Sequence, residues 1–563
     1  MFTDEQETWI REKLRFVYGD REDAVFRRLE TMLADRPQQR ASADFISEKD
    51  TMLITYGGSI RRSGEKPLWT LHQFLKNHTA DLLSAVHLLP FYPYTSDDGF
   101  SVQDYTAVDP RLGSWEEIQA IAGEVDVMFD AVINHISQAS TWFQRFREGD
   151  PRYQDYFIVS DPEEDYSSVT RPRARPLLTP VQTAEGTTHV WTTFSEDQID
   201  LNYANEDVFL DIVDILLFYV DQGADYLRLD AVGFMWKKLH TSCIHLDETH
   251  ALIQLFRLLM DAGAPGTILI TETNVPHEDN IAYFGDGRNE AHMVYQFPLP
   301  PLVLHSFHEQ RTDVLSAWAE TIEAPSEKTA FFNFLASHDG IGVVPAKGLL
   351  SEREIEAMAE KVKAHGGLVS YKDNGDGTQS PYELNSNYLD ALSHPEEEEH
   401  QRAARFISAQ SILLALQGMP GIYIHSLLGS VNDQAGVRET GRSRSINREV
   451  LDADEVEAAL SDEQSLRHRI FHACADRIRI RTAEPAFHPH APQTIHRLHP
   501  AVFCVERSDP DKGGSVYVIV NTSNKEVELS LPAEPLQNML TNEKLAGDTM
   551  RAAPLENYWM KKM

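Results

Sequence analysis

Three acidic residues sit where runs of strand-forming residues stop: Asp230 after Tyr226-Leu227-Arg228-Leu229, Glu272 after Ile268-Leu269-Ile270-Thr271, and Asp339 after the run 331–338. A carboxylate at the C-terminal end of a buried parallel strand points into the mouth of a barrel, where acids from separate strands converge on one substrate. Cleavage of a glycosidic bond needs that convergence. One carboxylate attacks or shields the cation developing on the sugar, and a second protonates the departing oxygen. Arg228 precedes Asp230 by two residues and so shares its strand face. Its charge there keeps the carboxylate ionised. Glu272 has to start protonated, which calls for a drier setting that raises its pKa.

The elements that must hold these acids can be followed along the chain. Strand-like segments Met52–Tyr56, Ala85–Leu89, 125–129, 226–229, 267–270, 293–297, 329–335 and 421–424 are interleaved with amphipathic stretches such as 208–220, 249–260 and 402–416. Eight strands is the number a (β/α)8 TIM barrel requires, so the expected fold class is α/β, with inserted lobes over the barrel mouth and a C-terminal β-sandwich. The lobes are expected because the gaps 137–205 and 341–400 are too long for barrel loops. The expected organisation is a helical extension over 1–48, barrel segments 49–136, 206–340 and 401–484, the two lobes between them, and a β domain over 485–563. Short alternating segments at 502–506, 515–520 and 527–531 mark that last domain.

The formal net charge of −36 disfavours nonspecific attraction to nucleic acid or anionic membrane. Cys243, Cys474 and Cys504 are too few and too far apart for a disulfide framework or a metal cluster. The start Met1-Phe2-Thr3-Asp4-Glu5 has no basic region followed by an apolar core, and no apolar run reaches membrane length. The expected location is the cytoplasm.

Four motifs, Asp130-Ala131-Val132-Ile133-Asn134-His135, Leu227-Arg228-Leu229-Asp230-Ala231-Val232, Ile270-Thr271-Glu272-Thr273 and Ser337-His338-Asp339, occur in the order found in the α-amylase superfamily, which the chain resembles. Further stretches, among them Asp97-Asp98-Gly99-Phe100, Trp191-Thr192-Thr193-Phe194, Leu299-Pro300-Pro301-Leu302 and Ile446-Asn447-Arg448, resemble the sucrose phosphorylase group. That group uses phosphate in place of water as second nucleophile and releases α-glucose 1-phosphate with retention. The resemblance implies Asp230 as nucleophile, Glu272 as general acid/base and Asp339 as the group holding the 2- and 3-hydroxyls. His135 and His338 would bond sugar hydroxyls. Asp97 and Arg444 would clamp the far end of the glucose ring, with Phe100 an apolar platform. No metal and no organic cofactor is implied, although Asn134 occupies a position that binds calcium in amylases.

Phosphate entering so acidic a protein needs a local positive feature. The run Arg171-Pro172-Arg173-Ala174-Arg175 supplies one, with Arg173 the expected contact and Tyr382 beside it. Tyr382 and Glu383 are the expected acceptor contacts. Departures from the sucrose phosphorylase pattern at Glu383, His240 and the loop 273–280 put fructose in doubt as the leaving group. A carboxylate at Glu383 accepts hydrogen bonds from a polyol and repels glycerate's carboxylate unless an arginine intervenes. The expected substrates are therefore an α-glucoside, inorganic phosphate and glycerol, that is, reversible phosphorolysis of 2-O-α-glucosylglycerol. The alternatives are glucosylglycerate or sucrose phosphorylase, and a hydrolase on the same barrel.

Overall fold

The computed structural model describes residues 2–34, 36, 45–172, 175–374, 377–511, 513–531, 535–545 and 547–563. Eight strands close into a parallel barrel in sequence order: β1 Met52–Tyr56, β2 Ala85–Leu89, β3 Asp126–Ala131, β4 Ala224–Leu229, β5 Ile268–Thr271, β6 Met293–Tyr295, β7 Ala330–Phe334 and β8 Met419–Tyr423. Each overlaps one of the eight expected segments. Buried on both faces, such strands read as nearly unbroken apolar runs, as in the wholly buried Ala-Val-His-Leu-Leu of β2.

Helices between strands form the outer ring, and three of them are Glu206–Asp221, Asp247–Gly263 and Glu399–Ala415. The chain begins with helices Asp4–Tyr18 and Glu22–Leu33, whose buried Ile10, Leu14, Phe26 and Leu29 join the main core. Tyr18 donates its hydroxyl hydrogen to the Tyr203 carbonyl at 3.1 Å, which ties the helical extension to the barrel.

Above the strand ends, residues 137–205 carry helix Thr141–Glu148 and the hairpin of Leu178–Thr183 with Gly186–Trp191. Residues 341–400 carry helix Glu352–Ala364 and a three-stranded sheet built on Leu368–Asp373 and Gln379–Asn385. The C-terminal region forms a six-stranded antiparallel sheet among the described residues, plus the pair Val527–Ser530 and Thr549–Ala552, sharing a core that includes Cys504, Ile519 and Leu529. Arg477 donates to Asn557 at 3.0 Å and Ser408 to the Leu555 carbonyl at 2.6 Å, fixing this sheet against the barrel helices. All three cysteines are buried and free. Among the described residues no helix is long and apolar enough to cross a membrane.

Candidate active site

Barrel register determines what surrounds the acids. In β3 and β4, Asp130 stands opposite Arg228, so the two side chains leave the sheet at one level. Arg228 Nη1 donates to Asp130 and, at 2.7 Å, to Asp230 Oδ1, while Nη2 lies 4.0 Å from Glu272 Oε2. The far oxygen of Asp130 meets His87 Nε2 at 2.6 Å. Arg228 and Asp130 are 3% and 0% exposed. One desolvated guanidinium therefore serves three carboxylates from neighbouring strands. Arg228, grouped by the sequence with the substrate-binding residues as well as with Asp230, is buried outside the lining of the acid-bearing cavity and holds the acids in place.

Beyond β4 the chain turns sharply. Ala231 adopts φ +50°, a left-handed conformation costly for a residue with a Cβ. That turn directs its N–H at Glu272 Oε2, 3.1 Å away.

Burial raises the pKa of Asp230, and Glu272 and Asp130 push it further while Arg228 opposes them. Burial also raises Glu272, reinforced by Asp339 and Asp130 and opposed by Arg228 and the Ala231 N–H. Two such carboxyls beside each other hold a proton between them. Because Arg228 bonds directly to Asp230 and stands 4.0 Å from Glu272, the proton belongs on Glu272 and the charge on Asp230. A carboxylate beside a carboxylic acid is the starting state a retaining glycosidic displacement needs.

Asp97, Phe100, His135, Asp230, Glu272, His338, Asp339, Tyr382 and Arg444 all line one cavity of about 360 Å³. Asp339 lies five residues past the end of β7, on a loop. Burial would raise its pKa, but the Arg444 and Arg448 guanidinium groups hold it far below the usual carboxylate range. The His338 ring stacks on Phe100, centroids 4.9 Å apart, and burial lowers its pKa to about 3. It is therefore neutral, with a buried Nδ1 that has no protein partner. A sugar hydroxyl can take that position.

Several side chains are oriented differently from expectation. His135, expected on sugar hydroxyls, has Nε2 bonded to the Phe100 carbonyl at 2.8 Å and Nδ1 within 3.2 Å of Asn134. Arg444, expected with Asp97 as a clamp, grips Glu383 through two bonds of 3.0 and 2.7 Å and reaches Asp339 at 2.5 Å. Asp97 accepts from Gln198 at 3.3 Å. Glu383, expected to accept hydrogen bonds from a polyol, is 4% exposed, and its Oε1 also accepts from the Gly340 N–H at 3.1 Å. Three protein N–H donors thus reach the two oxygens of Glu383. Arg173 lies outside the described residues.

Asn134 shows why the calcium position of amylases does not carry over. Its side-chain oxygen accepts from Lys237 Nζ at 2.9 Å, and the same ammonium sits 2.6 Å from Asp200, both side chains at 3% exposure or less. A fixed cation fills the space between those oxygens. Replacing Lys237 with Met is expected to cost about 3–5 kcal/mol by stranding the buried Asp200 charge, read as a lowered denaturation midpoint that Lys237→Met with Asp200→Asn partly restores. Sequence reasoning missed Lys237, which carries no motif signal of its own. It also missed Asn274, whose buried Oδ1 is unpartnered on the cavity wall, although the unusual length of its loop pointed to that stretch.

An eight-stranded parallel barrel with a carboxyl pair and a third acid at its C-terminal mouth defines a glycoside-active barrel enzyme. The profile of the α-amylase catalytic domain matches residues 79–364, and the chain belongs to that family. Within it, the chain is a glycoside phosphorylase. It is 51% identical to the glucosylglycerate phosphorylase of Allomeiothermus silvanus and 48% identical to that of Escherichia coli, each over 91% of this chain and 92% of the relative. Identity to the glucosylglycerol phosphorylase of Marinobacter adhaerens is 27%, over 75% of this chain and 85% of the relative. The crystal structure of sucrose 6F-phosphate phosphorylase from Thermoanaerobacter thermosaccharolyticum shares the fold at a TM-score of 0.74 and 23% identity, covering 90% of this chain and 98% of that one.

Proposed function

We propose that the protein catalyses reversible phosphorolysis of an α-glucosylglycerate, giving α-glucose 1-phosphate and glycerate by double displacement. The observation that carries the acceptor is the likeness, near half the residues over nine-tenths of the chain, to enzymes named for that substrate. Glycerol was expected because a free carboxylate at Glu383 would repel glycerate. The bidentate bond from Arg444, a guanidinium shared with Asp339, is the intervening arginine that offsets this repulsion.

In the first step Asp230 attacks the anomeric carbon, the bond to the glycerate oxygen breaks, and Glu272 gives its proton to that oxygen. A glucosyl ester on Asp230 remains. In the second step a phosphate oxygen attacks the same carbon, Glu272 takes up the phosphate proton, and the Asp230 carboxylate leaves. Two inversions give retention. Asp339 and the free nitrogen of His338 hold ring hydroxyls while the sugar flattens, and Phe100 packs against its apolar face.

The test offers glucose 1-phosphate with glycerate, glycerol, fructose and fructose 6-phosphate in turn and measures phosphate release. Glycerate is expected to give the highest kcat/KM, by about 100-fold or more, since a site built around a charged group rejects analogues that lack it. A preference for glycerol or fructose would overturn the acceptor.

A further inference from the structure

Cations gather at the cavity mouth of a protein whose formal charge is −36. Three are matched: Arg442 and Arg448 with Asp98, and Arg444 with Asp339 and Glu383. Among the described residues, two that line the acid-bearing cavity are not. Lys372, on strand Leu368–Asp373 of the second lobe, and Arg171, on the first lobe, both line the cavity that contains Asp230 and Glu272. Neither has an acidic partner within ion-pair distance among the described residues. Lys372 is partly buried, and burial together with the nearby Lys347 ammonium lowers its pKa. Two like charges placed together without a carboxylate gain stability from any anion that comes between them and the cavity.

We propose that Lys372, with Arg171 across the mouth, is the anchor for an anionic group in the acceptor position, holding the carboxylate of glycerate in one half-reaction and inorganic phosphate in the other. The inference rests on the acceptor assigned above and adds the residue that recognises it. In a double displacement the leaving oxygen departs from, and the phosphate oxygen arrives at, the same face of the anomeric carbon, opposite Asp230. The two anions use one space in succession. A single cationic cradle serves both and cannot hold both at once, so glycerate competes with phosphate for the glucosylated enzyme. Glycerol, lacking the charge, competes weakly. Lys372 also lines the adjoining cavity of about 400 Å³ with Arg175 and Arg442, which gives the anions a positively charged approach through an acidic surface.

Lys372→Met and Lys372→Arg separate this role from a structural one. With α-glucosyl fluoride as donor, which brings no phosphate into the cradle, Lys372→Met is expected to lose about 30-fold in kcat/KM for glycerate, the value of one charge-assisted hydrogen bond, while kcat/KM for glycerol stays within about threefold. Its KM for phosphate in phosphorolysis should rise about tenfold or more. Lys372→Arg, which keeps the charge, should recover most of both losses. Equal losses for glycerate and glycerol, or an unchanged KM for phosphate, would overturn the proposal. A wild-type enzyme that uses glycerol and not glycerate defeats the acceptor assignment instead, and the phosphate arm then decides Lys372 by itself.

Discussion

Replacing Asp230 with alanine is expected to lower phosphorolysis by at least about 10⁴-fold, the scale at which removal of a covalent nucleophile acts. Among the acids lining the cavity, Asp230 alone accepts a direct hydrogen bond from Arg228, and that bond opposes the burial that raises its pKa. Without it no glucosyl ester forms, and residual turnover must come from direct attack by phosphate or water, with inversion at the anomeric carbon. The assay is glucose 1-phosphate formation with the anomer read by NMR. An Asp230→Ala enzyme keeping a tenth of wild-type activity, or making α-glucose 1-phosphate at an undiminished rate, would remove Asp230 from the nucleophile's role.

Glu272→Gln is expected to cost about 10³-fold with glucosylglycerate, within the range for loss of a positioned general acid. It should leave formation of the glucosyl-enzyme from α-glucosyl fluoride within about tenfold of wild type, because fluoride departs without a proton. Loss of both reactions to the same degree would contradict an acid role.

The same variant carries a stability signature whose sign follows from the raised pKa. Folding takes Glu272 from an unfolded value of about 4.3 to a higher one, so between the two values the folded state binds more protons and its stability falls as pH rises. The neutral amide escapes that loss. Glu272→Gln should therefore unfold at a higher temperature than wild type at neutral and alkaline pH, with the gain shrinking to nothing below about pH 4. A site that stabilises a reacting sugar at the expense of its own fold is expected to behave this way.

The barrel was legible because its strands are apolar runs of three to six residues bounded by polar turns, and because helices such as Glu206–Asp221 keep their apolar residues at helical spacing. The acids were legible because Asp230 and Glu272 directly follow strands. Asp339 was less so: the run 331–338 stays largely apolar through Leu335-Ala336, so the end of β7 at Phe334 and the loop after it cannot be separated by eye. Pairings across the inserted lobes carried no signal. Arg444 and Glu383 are 61 residues apart, and Lys237 lies well beyond Asn134 and Asp200 in sequence. Which cation meets which acid depends on loop paths that no periodicity records. That is why a charged Glu383 points to glycerol in the sequence, where Arg444 is expected on the glucose ring and not beside it.

The most direct test of the account is to trap the intermediate. Glu272→Gln enzyme mixed with α-glucosyl fluoride and quenched in acid should yield one glucosylated peptide, with the ester on Asp230. A sugar attached to another residue, or no covalent adduct while the fluoride is consumed, would contradict double displacement at this site.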